Sequence, residues 1–306
     1  MASLRAHLFV RFMRWQVKRR VGRAIDIAAI RRTLDRPYRQ RTPRGISIRR
    51  GEGPVPGEWV TAADADPAPV LLYLHGGAFF ACSPRSHRPV TTAMARASGV
   101  RLFVPEYRLA PEHRFPAAID DVVACCDWLA AGGHRIAALA GDSAGGTLVL
   151  STLLRLRDSG RSLPPCAIAF SPLTDLAATG ASLAENDAKD AMFFGSDVHR
   201  LADVYLAAGG DPRDPLASPL YADLAGLPPL MLHVGADEVL RDDTLRFAAR
   251  AREAGVDVTL KVWPVVPHAW QLMGALLPEG RRSVTEAARF ISDHASWPLP
   301  SAERVG

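Results

Sequence analysis

From residue 70 onward, continuous apolar runs alternate with segments of helical period. Residues 70–74 form an apolar run that ends in His-Gly-Gly, and 91–97 have helical spacing. Residues 100–104 are a second run. The segment 117–131 is helical, with Ile119, Val122, Val123, Cys126 and Leu129 on one face. A third run, 136–139, leads directly into Gly-Asp-Ser-Ala-Gly-Gly, and 147–157 is helical again. Three more strands are predicted at 166–170, 230–234 and 256–263, with a helix at 243–254 between the last two. Apolar runs without alternation suit strands covered on both faces. Strands alternating with helices predict an α/β fold with a mostly parallel central sheet flanked by helices.

Two stretches depart from this rhythm. Residues 36–68 are broken by proline and glycine and leave room for short edge strands at 46–50 and 58–61. Between residues 175 and 228 the pattern changes for about 50 residues, too many for one simple crossover. That segment holds a helix at 197–208, so it reads as an insertion that covers something. The first 35 residues read as helical, with Leu4, Leu8, Phe12 and Trp15 in a 3- and 4-residue rhythm and Arg11, Arg14 and Lys18 opposite. Such a helix is expected to dock its apolar stripe on the core. Peripheral membrane contact through this basic N-terminus is the less favoured alternative.

Composition narrows the possibilities. Hydrophobic residues make up 48% of the 306 positions, which excludes a disordered chain. The net charge of +5 is unevenly spread. Residues 1–50 hold 15 Lys and Arg against 2 Asp and Glu, a balance of +13, so the remaining 256 residues sum to −8. No nucleic-acid-binding module accompanies the basic segment, so no nucleic-acid partner is expected. The four cysteines form no C-x-x-C pair or zinc spacing and read as small buried hydrophobes. That usage fits a reducing, cytoplasmic compartment. The longest uncharged stretch near the start, 6–10, is too short for a secretory h-region. The uncharged run 67–84 contains His75, glycines and prolines and reads as a strand and loop rather than a membrane span.

The residues that carry chemistry cluster at strand ends. Gly141-Asp142-Ser143-Ala144-Gly145-Gly146 lies between a predicted strand and a predicted helix, the setting of a nucleophile elbow. The turn is so sharp that its flanking residues must be small. A serine hydroxyl needs a base, and the base needs an orienting acid. In this architecture the chain order is serine, acid, histidine. His268 follows the last strand in a proline-stiffened loop and is the expected base; His233 lies inside an apolar strand and His199 in the insertion. The acid belongs on the loop after 230–234, where Asp237, Glu238, Asp242 and Asp243 compete. Spacing alone leaves Asp237 and Glu238 open, and Asp242 or Asp243 is expected to cap the following helix. Gly76 and Gly77, after the strand at 70–74, expose backbone N–H groups that with Ala144 would form an oxyanion hole. His75 is expected to shape that loop, and Asp142 to brace it, rather than take part in chemistry. Phe79, Phe80, Phe193, Phe194 and Trp270 are candidates to line an apolar substrate pocket.

His75-Gly76-Gly77, Tyr107-Arg108-Leu109-Ala110-Pro111-Glu112 and Gly-Asp-Ser-Ala-Gly-Gly together resemble the bacterial hormone-sensitive-lipase family of α/β-hydrolases. Ser171-Pro172, 211–220 and Pro267-His268 add to the likeness, which covers about two-thirds of the chain, roughly residues 70–270. The resemblance implies an α/β-hydrolase fold with a helical cap. It divides the chain into 1–45 (cap), 46–177 (core), 178–215 (cap insertion) and 216–306 (core). Family phase places the triad acid at the start of an acid-x-Leu-x-Asp stretch, which Glu238-Val239-Leu240-Arg241-Asp242 matches; Asp237 is one residue early. Ala78 stands where many members carry a third glycine. The implied activity is carboxylic-ester hydrolysis of short- to medium-chain acyl esters by Ser143, Glu238 and His268, without metal or organic cofactor. The family also implies a bracing role for Arg108 and Glu112, four residues apart, and a homodimer through the edge of 256–263. An amidase or deacetylase of the same fold is the alternative. A non-catalytic small-molecule receptor is a more remote one, because all three triad positions are filled.

Overall fold

Apolar runs become strands wherever helices can cover them on both sides, and the computed structural model, which describes residues 2–18, 26–34, 42–63 and 65–296, is built on that rule. In chain order the elements are α1 (Leu4–Met13), α2 (Ile27–Leu34), β1 (Ile46–Gly51), β2 (Gly57–Ala62), β3 (Asp66–Leu74), α3 (Arg88–Ser98), β4 (Val100–Pro105), α4 (Ala117–Ala131) and β5 (Arg135–Asp142). There follow α5 (Ala144–Asp158), β6 (Ala167–Phe170), α6 (Ser182–Glu185), α7 (Asp197–Tyr205), β7 (Leu230–Gly235), α8 (Arg241–Glu253), β8 (Val258–Trp263) and α9 (Pro278–Ala295). The eight strands form one sheet in the order β1-β2-β4-β3-β5-β6-β7-β8. β1, β2 and β4 pair antiparallel at one edge, and every pairing from β4 through β8 is parallel.

β3 shows why its run is apolar throughout. Val70, Leu72 and Leu74 enter a core layer shared with α4, α5 and α8, while Leu71 and Tyr73 enter the opposite layer with α3 and α9. Side chains alternate across a strand, so a strand covered on both faces has no polar position to spare. α4 buries the face expected from its sequence, with Ile119, Val122, Val123, Cys126 and Leu129 all inside. The parallel arrangement also brings the carboxyl ends of β3, β5, β7 and β8 to one edge, where the Gly-rich loop, Ser143, Glu238 and His268 all lie.

The segment between β6 and β7 carries α6 and α7 and returns to the core. Tyr205 of α7 stacks on Phe79 with ring centroids 3.8 Å apart, and Tyr205 O accepts the Phe115 N–H. The N-terminal helix docks, but not with the face expected. Ala6 and Val10 are buried, and Phe9 packs on a cluster of Trp263, Val266, Trp270 and Leu277. Leu4, Leu8, Phe12 and Trp15 face outward. Small residues on the docked side allow close approach, and Lys18 fixes the rotation. Its ammonium is buried and donates to the Asp187, Asp190 and Phe193 carbonyls. At the other end, the Ser3 side chain caps α1 by accepting the Ala6 N–H, and Ser3 binds Glu279 through its N–H and its hydroxyl. The helical reading of 19–25 lies outside the described residues.

The expected Arg108–Glu112 pair does not form. Arg108 pairs with Asp121 at 2.7 Å, and Glu112 pairs with Arg31 of α2 at 2.7 Å. Among the described residues no helix is long and apolar enough to cross a membrane. Leu72 is fully buried at the middle of the sheet. Leu72→Ala is expected to lower stability by about 3 kcal/mol, read as a lower denaturation midpoint at unchanged slope in urea.

Candidate active site

The site is organised by a backbone crowding problem. β5 ends, α5 begins one residue later, and Ser143 sits between them at φ 55° and ψ −127°. A Cβ on Gly145 would lie 2.1 Å from Leu74 O, and one on Gly141 would lie 2.5 Å from Gly145 O. Only glycine fits either position, as the motif predicts. The Ser143 N–H is held by Phe170 O of β6 at 2.7 Å, so the strained turn is pinned from the neighbouring strand.

His268 lies on the loop after β8, fully enclosed, with Nδ1 2.6 Å from Glu238 Oε2. Glu238 is equally buried. Its other oxygen, Oε1, accepts from Ser171 Oγ at 2.7 Å and from the Gly235 N–H at 2.6 Å. The four competing acids are thereby sorted. Asp237 is only half-buried and stands apart from His268 in the hydrogen-bond pattern. Asp242 accepts the Ser182 N–H, and Asp243 accepts the Thr174 and Asp175 N–H groups. These two carboxylates tie down the 174–182 segment instead of capping α8, whose N-cap, Leu240, makes no side-chain bond. Burial beside Asp175 pushes the Asp243 carboxyl up to about 8.

Burial disfavours a charged His268, but Glu238, with Asp190 and Asp142 farther off, outweighs it and raises the imidazole above its ordinary value. His268 Nε2 is buried and has no hydrogen-bond partner among the described residues. It is therefore the open nitrogen of an imidazole whose other side is fixed. The Phe193 ring meets the His268 ring edge-on at 5.0 Å.

The insertion contributes residues that sequence reasoning missed. Asn186 donates to the Ala236 and Glu238 carbonyls at 3.0 and 2.9 Å. Buried Asp190 accepts the Val239 N–H at 2.8 Å and the Met192 and Phe193 N–H groups. Together they clamp both sides of Glu238. Neither belongs to a motif, and the contacts span about 50 residues of chain, so no local signal marks them. Ser171 was visible only as part of Ser-Pro; its hydroxyl bond to Glu238 was not.

The Gly-rich loop needs one correction. The Gly76 N–H points at His87 Nε2, 3.1 Å away, a nitrogen also 3.2 Å from Asp142 Oδ2. The Gly76 N–H is thus turned inward, whereas the N–H groups of Gly77, Ala78 and Ala144 have no acceptor among the described residues. Gly77 needs to be glycine: φ is +121° and a Cβ would lie 2.1 Å from Ala81 O. Ala78 adopts φ 55° despite its methyl group. His75 is buried, stacks on Tyr107 at 4.3 Å and is pushed down to about 3 by burial and His87, so it is a neutral loop residue. Asp142 accepts from Tyr73 at 2.8 Å. Burial works against its charge, yet His87, Tyr73 and His268 hold its carboxyl below the ordinary range.

Phe79, Phe80 and Trp270 do not line an open pocket. Each is at most 5% exposed and sits in a packed cluster, because the insertion and α1 close over them. Phe193 and Phe194 remain partly exposed. A cavity of about 850 Å³ lies behind the Gly-rich loop, lined by Arg31, Glu58, His75, Cys82, Arg88 and Tyr107 among others, and Ser143, Glu238 and His268 are not in its wall.

This arrangement has parallels in known proteins. A family profile for the alpha/beta hydrolase fold matches residues 71–272. An acetyl-hydrolase of Streptomyces hygroscopicus is 44% identical over 237 residues, 76% of this chain and 78% of that protein. The crystal structure of an esterase from the bacterial hormone-sensitive lipase family superposes with a TM-score of 0.88 at 39% identity, covering 96% of this chain and 99% of that one. EstE5, from a crystal soaked with p-nitrophenyl butyrate, superposes with a TM-score of 0.91 at 34% identity over 96% of this chain and all of that one.

The loop geometry separates two neighbouring positions. Gly77→Ala is expected to displace the loop and cut ester turnover by about 100-fold or more, with a lower Tm. Ala78→Gly relieves a positive φ and is expected to change stability by no more than about 1 kcal/mol. Thermal unfolding and turnover of both variants, side by side, check the assignment.

Proposed function

The chain belongs to the bacterial hormone-sensitive-lipase family of α/β-hydrolases, and on that premise we propose that this serine ester hydrolase works through Ser143, Glu238 and His268. The single observation that carries the reading is the buried Glu238–His268 pair at 2.6 Å, with Nε2 left unpartnered at the sheet edge that bears the strained serine. His268 Nε2 takes the serine proton as the hydroxyl attacks the acyl carbon. The imidazolium that forms is stabilised by Glu238 and returns the proton to the leaving alcohol. Water, deprotonated by the same nitrogen, then cleaves the acyl-enzyme. His268 makes no hydrogen bond to Ser143 before substrate arrives; such contacts commonly tighten only in the complex.

The oxyanion donors in this reading are the N–H groups of Gly77, Ala78 and Ala144. Ala144 begins α5, so its N–H is free of helical partners and the helix dipole adds to it. Each donor contributes about 3–4 kcal/mol to the transition state in enzymes of this type. Residues 178–215 and the N-terminal helices form the cap, which excludes water and shapes the acyl site. The substrates are short- to medium-chain acyl esters. Support comes from the acetyl-hydrolase relative and from the small ester soaked into EstE5.

Hydrolysis of p-nitrophenyl esters from acetate to palmitate tests the assignment. Turnover should peak at short chains and fall by about 10⁵-fold or more in Ser143→Ala. A Ser143→Ala variant that retained its activity would remove the triad. Equal turnover of palmitate would remove the chain-length preference.

The base must be neutral to accept the serine proton, and its pKa is raised. The acid limb of kcat/KM is therefore expected to have its midpoint above the ordinary histidine value of 6.5, with activity lost as pH falls through it. Glu238→Gln removes the charge that raises it, so the midpoint should move down while kcat drops by about 10³–10⁴. Asp237→Asn should leave both unchanged.

A further inference from the structure

A helix packed on a protein ordinarily turns its largest apolar residues inward. α1 does the reverse. Its docked side is made of Ala6, Val10 and part of Phe9, while Leu4, Leu8, Phe12 and Trp15 are 54–75% exposed. At 100° per residue Leu4, Leu8 and Phe12 fall within an arc of about 80°, bordered by Arg11 on one side and Arg5 on the other, and Trp15 follows in the π-helical turn Arg14–Lys18 that continues α1. All three arginines are exposed, and Arg14 donates to the Lys189 carbonyl. The first 25 residues contain no Asp or Glu, and Arg19, Arg20 and Arg23 follow in the sequence.

The rotation that exposes this stripe is not free to change. Ser3 is bound to Glu279 at one end, and Lys18 is buried among the Asp187, Asp190 and Phe193 carbonyls at the other. The stripe is therefore a permanent feature of the folded chain. We propose that α1 is a membrane-surface docking helix, which sets Leu4, Leu8, Phe12 and Trp15 into the headgroup–acyl boundary of an anionic bilayer while its arginines pair with lipid phosphates.

Three observations favour that occupant. Leucine and aromatic residues between arginines make the composition of an interfacial helix. A second copy of the same stripe would bring Arg5, Arg11 and Arg14 against their own kind, with no acid on α1 to pair with them. The charge split, +13 in residues 1–50 against −8 elsewhere, puts the basic excess in the same part of the sequence as α1. Docking would also hold the site near the lipid. Phe9, on the buried side of α1, packs on Val266 and Trp270, which flank His268 in the chain. The inference does not depend on the triad assignment.

Cosedimentation of the full chain with phosphatidylcholine vesicles, with and without phosphatidylserine, tests it. The chain should partition to the mixed vesicles only, less so at high salt, with a blue shift of tryptophan emission that Trp15→Phe abolishes. Arg5→Gln and Arg11→Gln should each lower the partition coefficient about fivefold. Phe12→Asp should lower it about tenfold or more, and Leu8→Ser is the milder second variant. These side chains are exposed, so turnover of soluble p-nitrophenyl acetate should be unchanged in all five variants, which also reports that they fold. Absence of partitioning by the unmodified chain would overturn the proposal, and so would partitioning that Phe12→Asp and Leu8→Ser leave intact. A concentration-dependent dimer that Phe12→Asp dissolves, without vesicle binding, would overturn it in favour of a second copy as occupant.

Discussion

Everything at the site depends on how closely two backbones approach at the end of β5. Gly145 lies against the Leu74 and His75 carbonyls at the end of β3, and Gly141 lies against Gly145 itself. That contact locks the serine turn to the Gly-rich loop. The strained residue and the loop that exposes N–H donors are thus parts of one rigid junction rather than two features that must be brought together. The Phe170 O bond to the Ser143 N–H adds β6 to the junction. A sheet with strands buried on both faces is what makes such a junction stiff enough to hold a residue at positive φ.

Polar groups around the junction are few and nearly all committed. Beneath the loop Asp142 accepts from Tyr73, and His87 Nε2 lies between Asp142 Oδ2 and the Gly76 N–H. Glu238 is shared among His268, Ser171 and the Gly235 N–H. In a low-dielectric interior each of these groups would be costly alone. Their mutual bonding leaves a short set of open functions: His268 Nε2 and the N–H groups of Gly77, Ala78 and Ala144.

The segment between β6 and β7 is wired into this centre rather than laid over it. Asn186 and Asp190 hold the backbone on both sides of Glu238, and Lys18 holds the backbone on both sides of Asp190. The N-terminal helix is therefore two contacts away from Glu238. Its apolar stripe faces outward and its lysine inward, where the Lys18 ammonium donates to the Asp187, Asp190 and Phe193 carbonyls. A helix with a small-residue face and a large-residue face can dock by either, and periodicity does not distinguish them.

Much of this was legible in the sequence, and the boundary has a physical cause. The strands, the helices between them and the serine turn follow from demands that neighbouring residues place on the backbone: period, apolar continuity and the absence of Cβ atoms. The place of His268 after the last strand was legible for the same reason. The choice between Asp237 and Glu238 was not carried by spacing, and family phase pointed to Glu238; the structure puts that side chain on His268 Nδ1. Whether Gly76 or Ala78 leaves its N–H open was decided by His87, which turns one donor inward. The roles of Asn186, Asp190 and Lys18, the burial of Phe79, Phe80 and Trp270, and the outward face of α1 came only from tertiary packing. In each case the sequence determined which groups were available, and the fold decided where each one points, because direction is set by partners far along the chain.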